Sequence, residues 1–313
     1  MVEYRRLREK HSILELCKTP ELAAQVTMQP IDRFDLDAAI IFADILLPLE
    51  PMGLSLEFAE GEGPIIHNPV RDRAAVDRLK VMDDGGLQYV MDAISLTRKT
   101  LAGRVPLIGF AGAPFTLASY AIEGGSSRNY IHTKQMMYGE PEVWHRLMDT
   151  FARVITGYLR RQIKAGAQAV QLFDSWVGCL SAGDYAEYVM PHVQLIFDGL
   201  KHEGVPLIHF GTGTTAILKS MRQAGGDVIG IDWRIPLDEA WAMVGHDRAV
   251  QGNLDPVALF APMPEIERRV ADILRRAGGR PGHIFNLGHG ILPNTPVEHV
   301  AATIDLVHRL SKT

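Results

Sequence analysis

The chain has 313 residues, of which 47% are hydrophobic, and its formal net charge is −5. This charge excludes the strongly basic surface that nucleic-acid binders and anionic-membrane binders carry. No apolar run reaches the ~18 residues of a membrane span, and the charged N-terminus lacks the apolar core of a signal peptide, so we expect a cytoplasmic protein. The two cysteines, Cys17 and Cys179, form no C-x-x-C pair, which argues against a disulfide framework or a thiolate zinc cluster. We expect both to be small buried or semi-buried thiols.

The first thirty residues begin with a charged stretch and continue into a predicted helix. Residues 1–12 have the composition of a charged loop. Thr19, Pro20 and Glu21 then place a cap residue, a proline suited to the first helical position and an acid directly before "LAAQVTM". This order predicts a helix that begins near Pro20.

Seven short, continuously apolar runs follow at roughly regular intervals. Uninterrupted apolar strands are typical of parallel sheets covered on both faces, whereas half-exposed strands alternate. The predicted strands cover 38–45, 105–112, 167–175, 205–212, 227–233, 248–253 and 283–290.

Helical periodicity separates these runs. The clearest helix starts at Pro141 and ends at Gly166, and two more are predicted within 264–279 and 296–311. Thr295, with Glu298 three residues later, has the spacing of a capping box for the last helix.

Strand and helix alternate along the chain, which predicts an α/β fold with a parallel sheet. The long interval 46–104 contains "LEFAEGEGPIIHNPV", which we expect to form a hairpin or another excursion over the mouth of the fold. No linker-like or low-complexity stretch divides the chain, so residues 1–313 are expected to form one domain.

Polar residues lie at or near the ends of the predicted strands. A (β/α)8 barrel builds its site from those ends, whereas a doubly wound sheet gathers its ligand at one switch point. Here the polar ends are spread over the whole chain, which favours the barrel. They are Asp44, Asp174, Ser175, His209, Asp232, Asn253 and His289. Only seven strands are found, and residues 1–12 are too charged to be an interior barrel strand. Either one strand is not recognisable, or the chain begins inside the domain.

The short motifs exclude several chemistries. "GGDVIG" and "GTGTT" do not complete G-x-G-x-x-G, and no GK[ST] follows, so these glycines are expected to serve turns.

Asp44 ends an apolar strand. A carboxylate there must be solvated, paired or ready to accept a hydrogen bond from a ligand, unless Asp44 caps a helix or forms a salt bridge. His289 lies between glycines in "NLGHGILPNTP", either as a ligand-binding residue or as a turn histidine held by the backbone.

Five longer motifs carry a specific resemblance: "FADILLPLEPMG", "GFAGAPFTLASYAIEGGSS", "QLFDSWVG", "QGNLDP" and "NLGHGILPNTPVEHV". In this order, from about Glu3 to the C-terminus, the chain resembles the uroporphyrinogen decarboxylase family. The resemblance implies a single-domain distorted (β/α)8 TIM barrel, with the first strand absent from this chain. It also implies a homodimer that uses no metal and no organic cofactor, and that removes four acetate carboxylates of uroporphyrinogen III as CO2 to give coproporphyrinogen III.

The same resemblance implies roles for four residues. Asp44 corresponds to the family aspartate that hydrogen-bonds the pyrrole N–H groups and acts in catalysis. Tyr120 in "LASYAIEGG" and Ser175 in "FDSW" are implied to contact substrate carboxylates. His289 in "LGHG" matches the family's substrate-binding histidine.

At its N-terminus the chain departs strongly from the family pattern. Family members carry a segment like "M-R-Q-A-G-R-Y" on and after their first strand, and its two arginines bind acetate and propionate groups. The "P-E-Y-R" that follows it matches Val2 to Arg5 here, so we expect the native gene product to start upstream. Ala43 and Pro51, where the family commonly has serine and alanine, remove no functional group that the predictions use.

Two alternatives remain at the level of sequence. The related methyltransferase branch binds zinc through a His-x-Cys after one strand, but the comparable positions here are His209, Phe210 and Gly211, without the cysteine. The second alternative is a truncated or inactive relative that acts as a structural or dimer partner, because a charged tetrapyrrole binds poorly without guanidinium groups.

Overall fold

A computed structural model describes residues 1–59, 63–81 and 85–311 of the chain. Its strands belong to one large parallel sheet and one small antiparallel pair. In chain order the strands are β1 (Ala39–Ile40), β2 (Leu56–Ala59), β3 (Gly63–Ile66), β4 (Leu107–Gly112), β5 (Ala169–Asp174), β6 (Leu207–Gly211), β7 (Val228–Gly230), β8 (Ala249–Gln251) and β9 (His283–Ile284).

Helices surround the parallel sheet and connect its strands. They are α1 (Val2–Arg8), α2 (Ile13–Lys18), α3 (Pro20–Arg33), α4 (Arg73–Asp77), α5 (Gln88–Leu101), α6 (Pro114–Glu123), α7 (Ile131–Gly139), α8 (Pro141–Ala165), α9 (Ala182–Tyr188), α10 (Met190–Leu200), α11 (Leu218–Ala224), α12 (Leu237–Val244), α13 (Met263–Ala277) and α14 (Val297–Leu310). Short 3₁₀ helices cover Leu47–Leu49, Val177–Cys179, Thr215–Ile217 and Pro256–Phe260.

The parallel sheet has the order β1-β4-β5-β6-β7-β8-β9. Each of its strands overlaps one of the seven apolar runs, so the seven-strand prediction is confirmed. The sheet curls into a half-barrel with helices on its outer side, and β1 and β9 are its two edges in the part of the chain that the structure describes. The fold is therefore an α/β half-barrel of the TIM type.

The interior of the half-barrel is lined by alternate residues of each strand. Phe173 in β5 is in register with Phe210 in β6, and both rings are on the inner face. Deeper in the interior, the Gln251 side-chain amide donates to Oε1 of Gln171 across 3.1 Å. Both glutamines are almost completely buried, so this bond satisfies two polar groups that have no access to water.

The long helices begin and end close to the predicted residues, with one difference in capping. α3 begins at Pro20, and α8 runs from Pro141 to a left-handed Gly166. The capping box predicted at Thr295 is wrong, because the Thr295 hydroxyl donates to the carbonyl of Leu292 and the helix begins two residues later.

The predicted charged loop at the N-terminus is also wrong, since residues 2–8 form α1. The Tyr4 ring packs edge-to-face on Phe42 at 5.9 Å, and Nη2 of Arg5 donates to Oδ1 of Asn294 across 3.4 Å. The next helix, α2, has a capping box between Ser12 and Glu15. Contacts far away in the sequence thus hold a short helix that its composition alone would not form.

The interval 46–104 contains the predicted hairpin. Leu56 is in register with Ile66, and Glu57 with Ile65. The tip of the hairpin, 60–62, lies outside the described residues. The backbone N–H of Ile66 donates to the carbonyl of Gly124 across 2.8 Å, which fixes the hairpin to the end of α6.

Candidate active site

The carboxyl ends of the parallel strands all lie at the same end of the half-barrel, and we call this end the mouth. In barrels of this type, the loops that follow the strands build the site. Three of the four predicted site residues, Asp44, Ser175 and His289, lie in such loops after β1, β5 and β9. The fourth, Tyr120, is in α6, which follows β4 after a single residue.

Asp44 is partly buried, four residues past the end of β1. The backbone N–H of Leu46 donates to its Oδ1 across 2.8 Å. Burial raises the pKa of Asp44, and the Leu46 N–H opposes this shift because it stabilises the ionised form. The site thus holds a carboxyl group in surroundings of low polarity, where a charge on it would act strongly on any cation that approaches.

Tyr120 lies within electrostatic reach of Asp44. Its ring packs edge-to-face on Trp176, with the centroids 6.0 Å apart. Burial raises the pKa of Tyr120, the negative charge of Asp44 adds to this effect, and the Trp176 side chain opposes it. The phenol therefore stays protonated at neutral pH and is available as a hydrogen-bond donor.

Ser175 directly follows β5 and precedes Trp176, so it lies on the same side of the mouth as Tyr120. Its carbonyl accepts a hydrogen bond from the Thr212 hydroxyl across 2.6 Å, which connects the loop after β5 to the loop after β6. The Tyr120 ring thus contacts the loop that carries Ser175, and the charge of Asp44 acts on Tyr120.

His289 lies in the loop after β9 and contacts β6. Its ring packs edge-to-face on Phe210 at 6.3 Å, and the backbone N–H of Gly290 donates to its Nδ1. Burial lowers the pKa of His289, the positive charge of Arg234 lowers it further, and Asp232 opposes both. A neutral imidazole that accepts at Nδ1 carries its proton on Nε2, so it presents an N–H donor.

An aromatic strip crosses the inner face of β4, β5 and β6. The Phe110 and Phe173 rings are 5.4 Å apart, and Phe173 and Phe210 are 5.7 Å apart, all edge-to-face. Gly230 leaves space for this strip, because a Cβ there would lie 2.6 Å from Cδ2 of Phe210. These rings are not among the predicted site residues, although "GFAG", "LFDS" and "HFGT" each place a phenylalanine near a strand end.

Two predicted polar strand ends face away from the mouth. Asp174 is completely buried on the outer side of β5, where the Thr116 hydroxyl of α6 donates to its Oδ1. His209 is completely buried on the outer side of β6, with its ring 5.2 Å from that of Phe197, and burial lowers the pKa of His209 to about 4. Both residues are at or near strand ends as predicted, and because successive side chains of a strand point to opposite faces, these two point away from the mouth.

Asp232 and Asn253 hold the loops after β7 and β8 together. Asp232 is 1% exposed, and its Oδ2 accepts from the backbone N–H of Gly213 across 2.5 Å. The Asn253 side chain donates to the carbonyls of Asp232 and Ile235 across 2.9 and 2.7 Å. These contacts give both residues a structural role at the rim.

Both cysteines have the environments predicted for them. Cys17 is buried and Cys179 is partly buried, and burial raises the pKa of their thiols to about 12 and about 11.

Among residues 1–59, 63–81 and 85–311, no three His, Cys, Asp or Glu side chains are grouped so that they could hold a metal ion. In the same part of the chain, no helix has both the length and the apolar character that crossing a membrane requires.

A curled parallel sheet whose carboxyl-end loops carry a desolvated carboxylate, protonated donors and an aromatic strip defines an enzyme of the α/β-barrel class. The profile described as "Uroporphyrinogen decarboxylase (URO-D)" matches residues 1–310. The chain belongs to the uroporphyrinogen decarboxylase family.

Curated relatives are similar over almost their whole length. The chain is 62% identical to "Uroporphyrinogen decarboxylase" of Sorangium cellulosum (strain So ce56), over 100% of this chain and 89% of the relative. It is 57% identical to the protein of the same name from Carboxydothermus hydrogenoformans, over 99% of this chain and 89% of the relative.

Solved structures support the fold. A methyltransferase from Methanosarcina mazei superposes with a TM-score of 0.81 at 19% identity, over 94% of this chain and 87% of that one. A B12-independent methionine synthase from Shewanella sp. W3-18-1 gives a TM-score of 0.63 at 11% identity, over 94% of this chain and 86% of that one. At such low identities the similarity shows the barrel-type fold alone, so the methyltransferase alternative gains no support from it.

Proposed function

We propose that the chain removes the four acetate carboxylates of uroporphyrinogen III as CO2, giving coproporphyrinogen III in tetrapyrrole biosynthesis. The observation that carries this proposal is the partly buried Asp44 carboxylate at the mouth. It has one backbone donor of its own, from Leu46, and the Tyr120 phenol lies within its electrostatic reach. A carboxylate in this position accepts hydrogen bonds from the N–H groups of a ring system that enters the mouth.

The chemistry needs an electron sink at the pyrrole. A proton adds to the pyrrole α-carbon next to the ring carbon that bears the acetate group, which makes the pyrrole cationic. The bond between the acetate methylene and its carboxylate then breaks, CO2 leaves, and the bonding electrons neutralise the ring as an exocyclic double bond. A proton adds to the methylene to form a methyl group, and the α-carbon releases its added proton to restore the pyrrole. Each cycle consumes one proton and releases one CO2.

In this sequence Asp44 stabilises the charge that develops on the ring. In the proposed step its carboxyl group acts in the ionised form, which the Leu46 N–H stabilises, in low-dielectric surroundings. A preorganised opposite charge of this kind stabilises a cationic transition state more than the neutral ground state. Because the protonated pyrrole is itself the sink, the proposal includes no pyridoxal, thiamine or metal.

Tyr120, Ser175 and His289 are proposed to bind the carboxylates around the ring. The protonated phenol, the hydroxyl and the Nε2–H of a neutral imidazole are donors suited to anionic acceptors. The phenylalanine strip on β4, β5 and β6 offers the ring face an apolar surface. The resemblance to the family supports the further proposal of a homodimeric, single-domain, cytoplasmic enzyme.

A turnover assay tests the function. Uroporphyrinogen III is generated enzymatically under anaerobic conditions, incubated with the purified chain, and the oxidised products are separated by chromatography. We expect the seven-, six- and five-carboxylate intermediates and coproporphyrinogen III, with four CO2 released per macrocycle. The absence of turnover would contradict the proposal. Stoichiometric zinc together with methyl transfer to a thiol would replace it by the methyltransferase alternative.

A further inference from the structure

The loop between β7 and α12 carries an arginine that none of the predictions uses. Nη1 of Arg234 donates to Oδ2 of Asp232 across 2.5 Å, and its backbone N–H donates to Oδ1 of the same residue across 3.0 Å. Its guanidinium lies over the Trp233 ring, 4.1 Å from the centroid. The buried carboxylate and the indole together hold the guanidinium in one orientation.

Much of the Arg234 side chain remains available to a ligand. It is 49% exposed, whereas Asp232 is 1% exposed. A guanidinium has five N–H donors, and within the described residues only Nη1 of this side chain donates a hydrogen bond. The exposed donors form a planar edge, which is the geometry that binds a carboxylate through two parallel hydrogen bonds.

The position of Arg234 connects it to the predicted site. Gly288, directly before His289, packs closely on Trp233. A Cβ added at Gly288 would lie 2.7 Å from the backbone N of Trp233. The positive charge of Arg234 acts on the imidazole of His289. Along the rim, the Gly213 N–H donates to Asp232, and the neighbouring Thr212 donates to the carbonyl of Ser175.

Neutralising Asp232 is the simplest structural role for this arginine. That carboxylate already accepts two backbone N–H groups, from Gly213 and from Arg234 itself. The stacking on Trp233 and the exposed edge contribute nothing to Asp232. They are the features of a preorganised anion-binding group.

We propose that Arg234 binds a peripheral carboxylate of the substrate beside His289 and sets the affinity of this side of the mouth for polycarboxylates. The inference rests on the proposed function, because that function supplies a ligand with carboxylates around its ring. Arg234 acts in binding, and the proton transfers do not involve it.

Two variants of Arg234 and one control test this role. Arg234→Gln keeps a donor near Asp232 but removes both the charge and the planar edge of N–H donors. Arg234→Lys keeps the charge without the planar edge. The control is Arg222→Gln, since Arg222 has a similar pairing with Asp247 at 2.8 Å and its Nη1 donates to the carbonyl of Val244, which is the last residue of α12.

Steady-state kinetics should show whether Arg234 binds the substrate or only stabilises the fold. For Arg234→Gln we expect KM to rise about 10-fold or more with kcat changed less than about threefold, since charged hydrogen bonds are the strong ones. Arg234→Lys should lie between the wild type and Arg234→Gln, and Arg222→Gln should leave KM unchanged. The KM of the wild type should also rise with salt more steeply than that of Arg234→Gln. A variant that melts at lower temperature but keeps the wild-type KM and salt dependence would overturn the inference.

A binding measurement keeps this test separate from turnover. Uroporphyrin III, the oxidised octacarboxylate, is titrated against the wild type and Arg234→Gln with fluorescence quenching as the signal. About 10-fold weaker binding to the variant supports the inference even if the wild type does not decarboxylate, a result that would contradict the proposed function alone. Equal affinities, or no binding to the wild type, would overturn the role of Arg234.

Discussion

The Thr116 hydroxyl donates to Oδ1 of Asp174 across 3.2 Å and thereby joins the first turn of α6 to the end of β5. The same hydroxyl oxygen accepts from the backbone N–H of Trp176 across 3.5 Å. Tyr120 lies one turn further along α6, and Ser175 directly follows Asp174. This contact behind the sheet therefore sets the spacing between two side chains proposed to bind substrate.

The buried Asp174 should make stability depend on pH. Burial raises the pKa of Asp174 to about 7, with Thr116 opposing, whereas its ordinary value is 3.8. Between these values the folded chain holds a proton that the unfolded chain has released. Its contribution to the free energy of unfolding is therefore complete below about pH 3.8 and is lost as pH rises toward 7.

Asp174→Asn measures this contribution, because the amide keeps the acceptor for Thr116 and cannot ionise. Urea unfolding of the two proteins between about pH 5 and 8 should show the wild type losing stability relative to the variant as pH rises. The total over the whole window is on the order of 4 kcal/mol, from about 1.4 kcal/mol per pKa unit. A difference that stays constant across this range would contradict the prediction.

Asp44→Asn should lower turnover by about 10²-fold or more, because it removes the preorganised charge that stabilises a cationic ring. The fold should survive, since the carbonyl oxygen of the introduced amide can still accept from the Leu46 N–H. The measurement is kcat for CO2 release, with circular dichroism to check folding. The matched control is Asp198→Asn, an exposed aspartate of α10 paired with Lys201, which should leave kcat unchanged.

The pH dependence of the wild type tests the same residue. Burial raises the pKa of Asp44, so kcat/KM should fall on the acid side at a pH above the ordinary range of an aspartate. An acid limb at or below about pH 4 would disagree with an ionised Asp44 in a desolvated site. An Asp44→Asn variant with wild-type turnover would refute its role directly.

His289→Ala should raise KM by roughly 10-fold, because it removes one donor to a charged acceptor. His289→Gln, which also presents an N–H, should recover part of this loss. Since the pKa of His289 is lowered, its ring stays neutral between about pH 7 and 8, so protonation of this ring should not change the wild-type KM in that range. His202→Ala, at an exposed histidine, is the control, and an equal rise in KM there would show that the effect is not specific to the mouth.

Gly230→Ala should destabilise the fold by about 1–3 kcal/mol, because its Cβ would overlap the Phe210 ring and displace the aromatic strip. Gly157→Ala is the matched control in the interior of α8, where a Cβ meets no atom within 4 Å. This control should stabilise the protein by about 0.5–1 kcal/mol through helix propensity. Urea denaturation measures both, and equal stabilities of the two variants would contradict the packing argument.

Much of the fold could be predicted because its signals are local. Continuous apolar runs predicted the seven parallel strands, and proline and glycine positions predicted the ends of α8. The residues 60–62 within the predicted hairpin are not described, but its two strands are paired as expected. The capping box at Ser12 could also have been found, since Glu15 follows at the required spacing.

The remainder depends on contacts that no local pattern contains. Whether Asp174 or Ser175 faces the mouth is decided by where the pleat of β5 begins, and a shift of one residue reverses it. α1 is held by contacts of Tyr4 with Phe42 and of Arg5 with Asn294, both of which are distant in the sequence. The anchoring of Arg234 is similarly visible only once the loops are folded.

The phenylalanine strip has a calorimetric consequence. Phe110 and Phe210 are buried and Phe173 is only partly exposed, so the strip leaves a small apolar surface, and this surface forms no hydrogen bonds with water. A ligand whose flat face covers this surface removes apolar area from water, and the heat capacity of the complex then falls below that of its separated parts. The enthalpy of ligand binding consequently becomes more favourable as temperature rises, while the polar contacts at the rim decide which ligand is accepted.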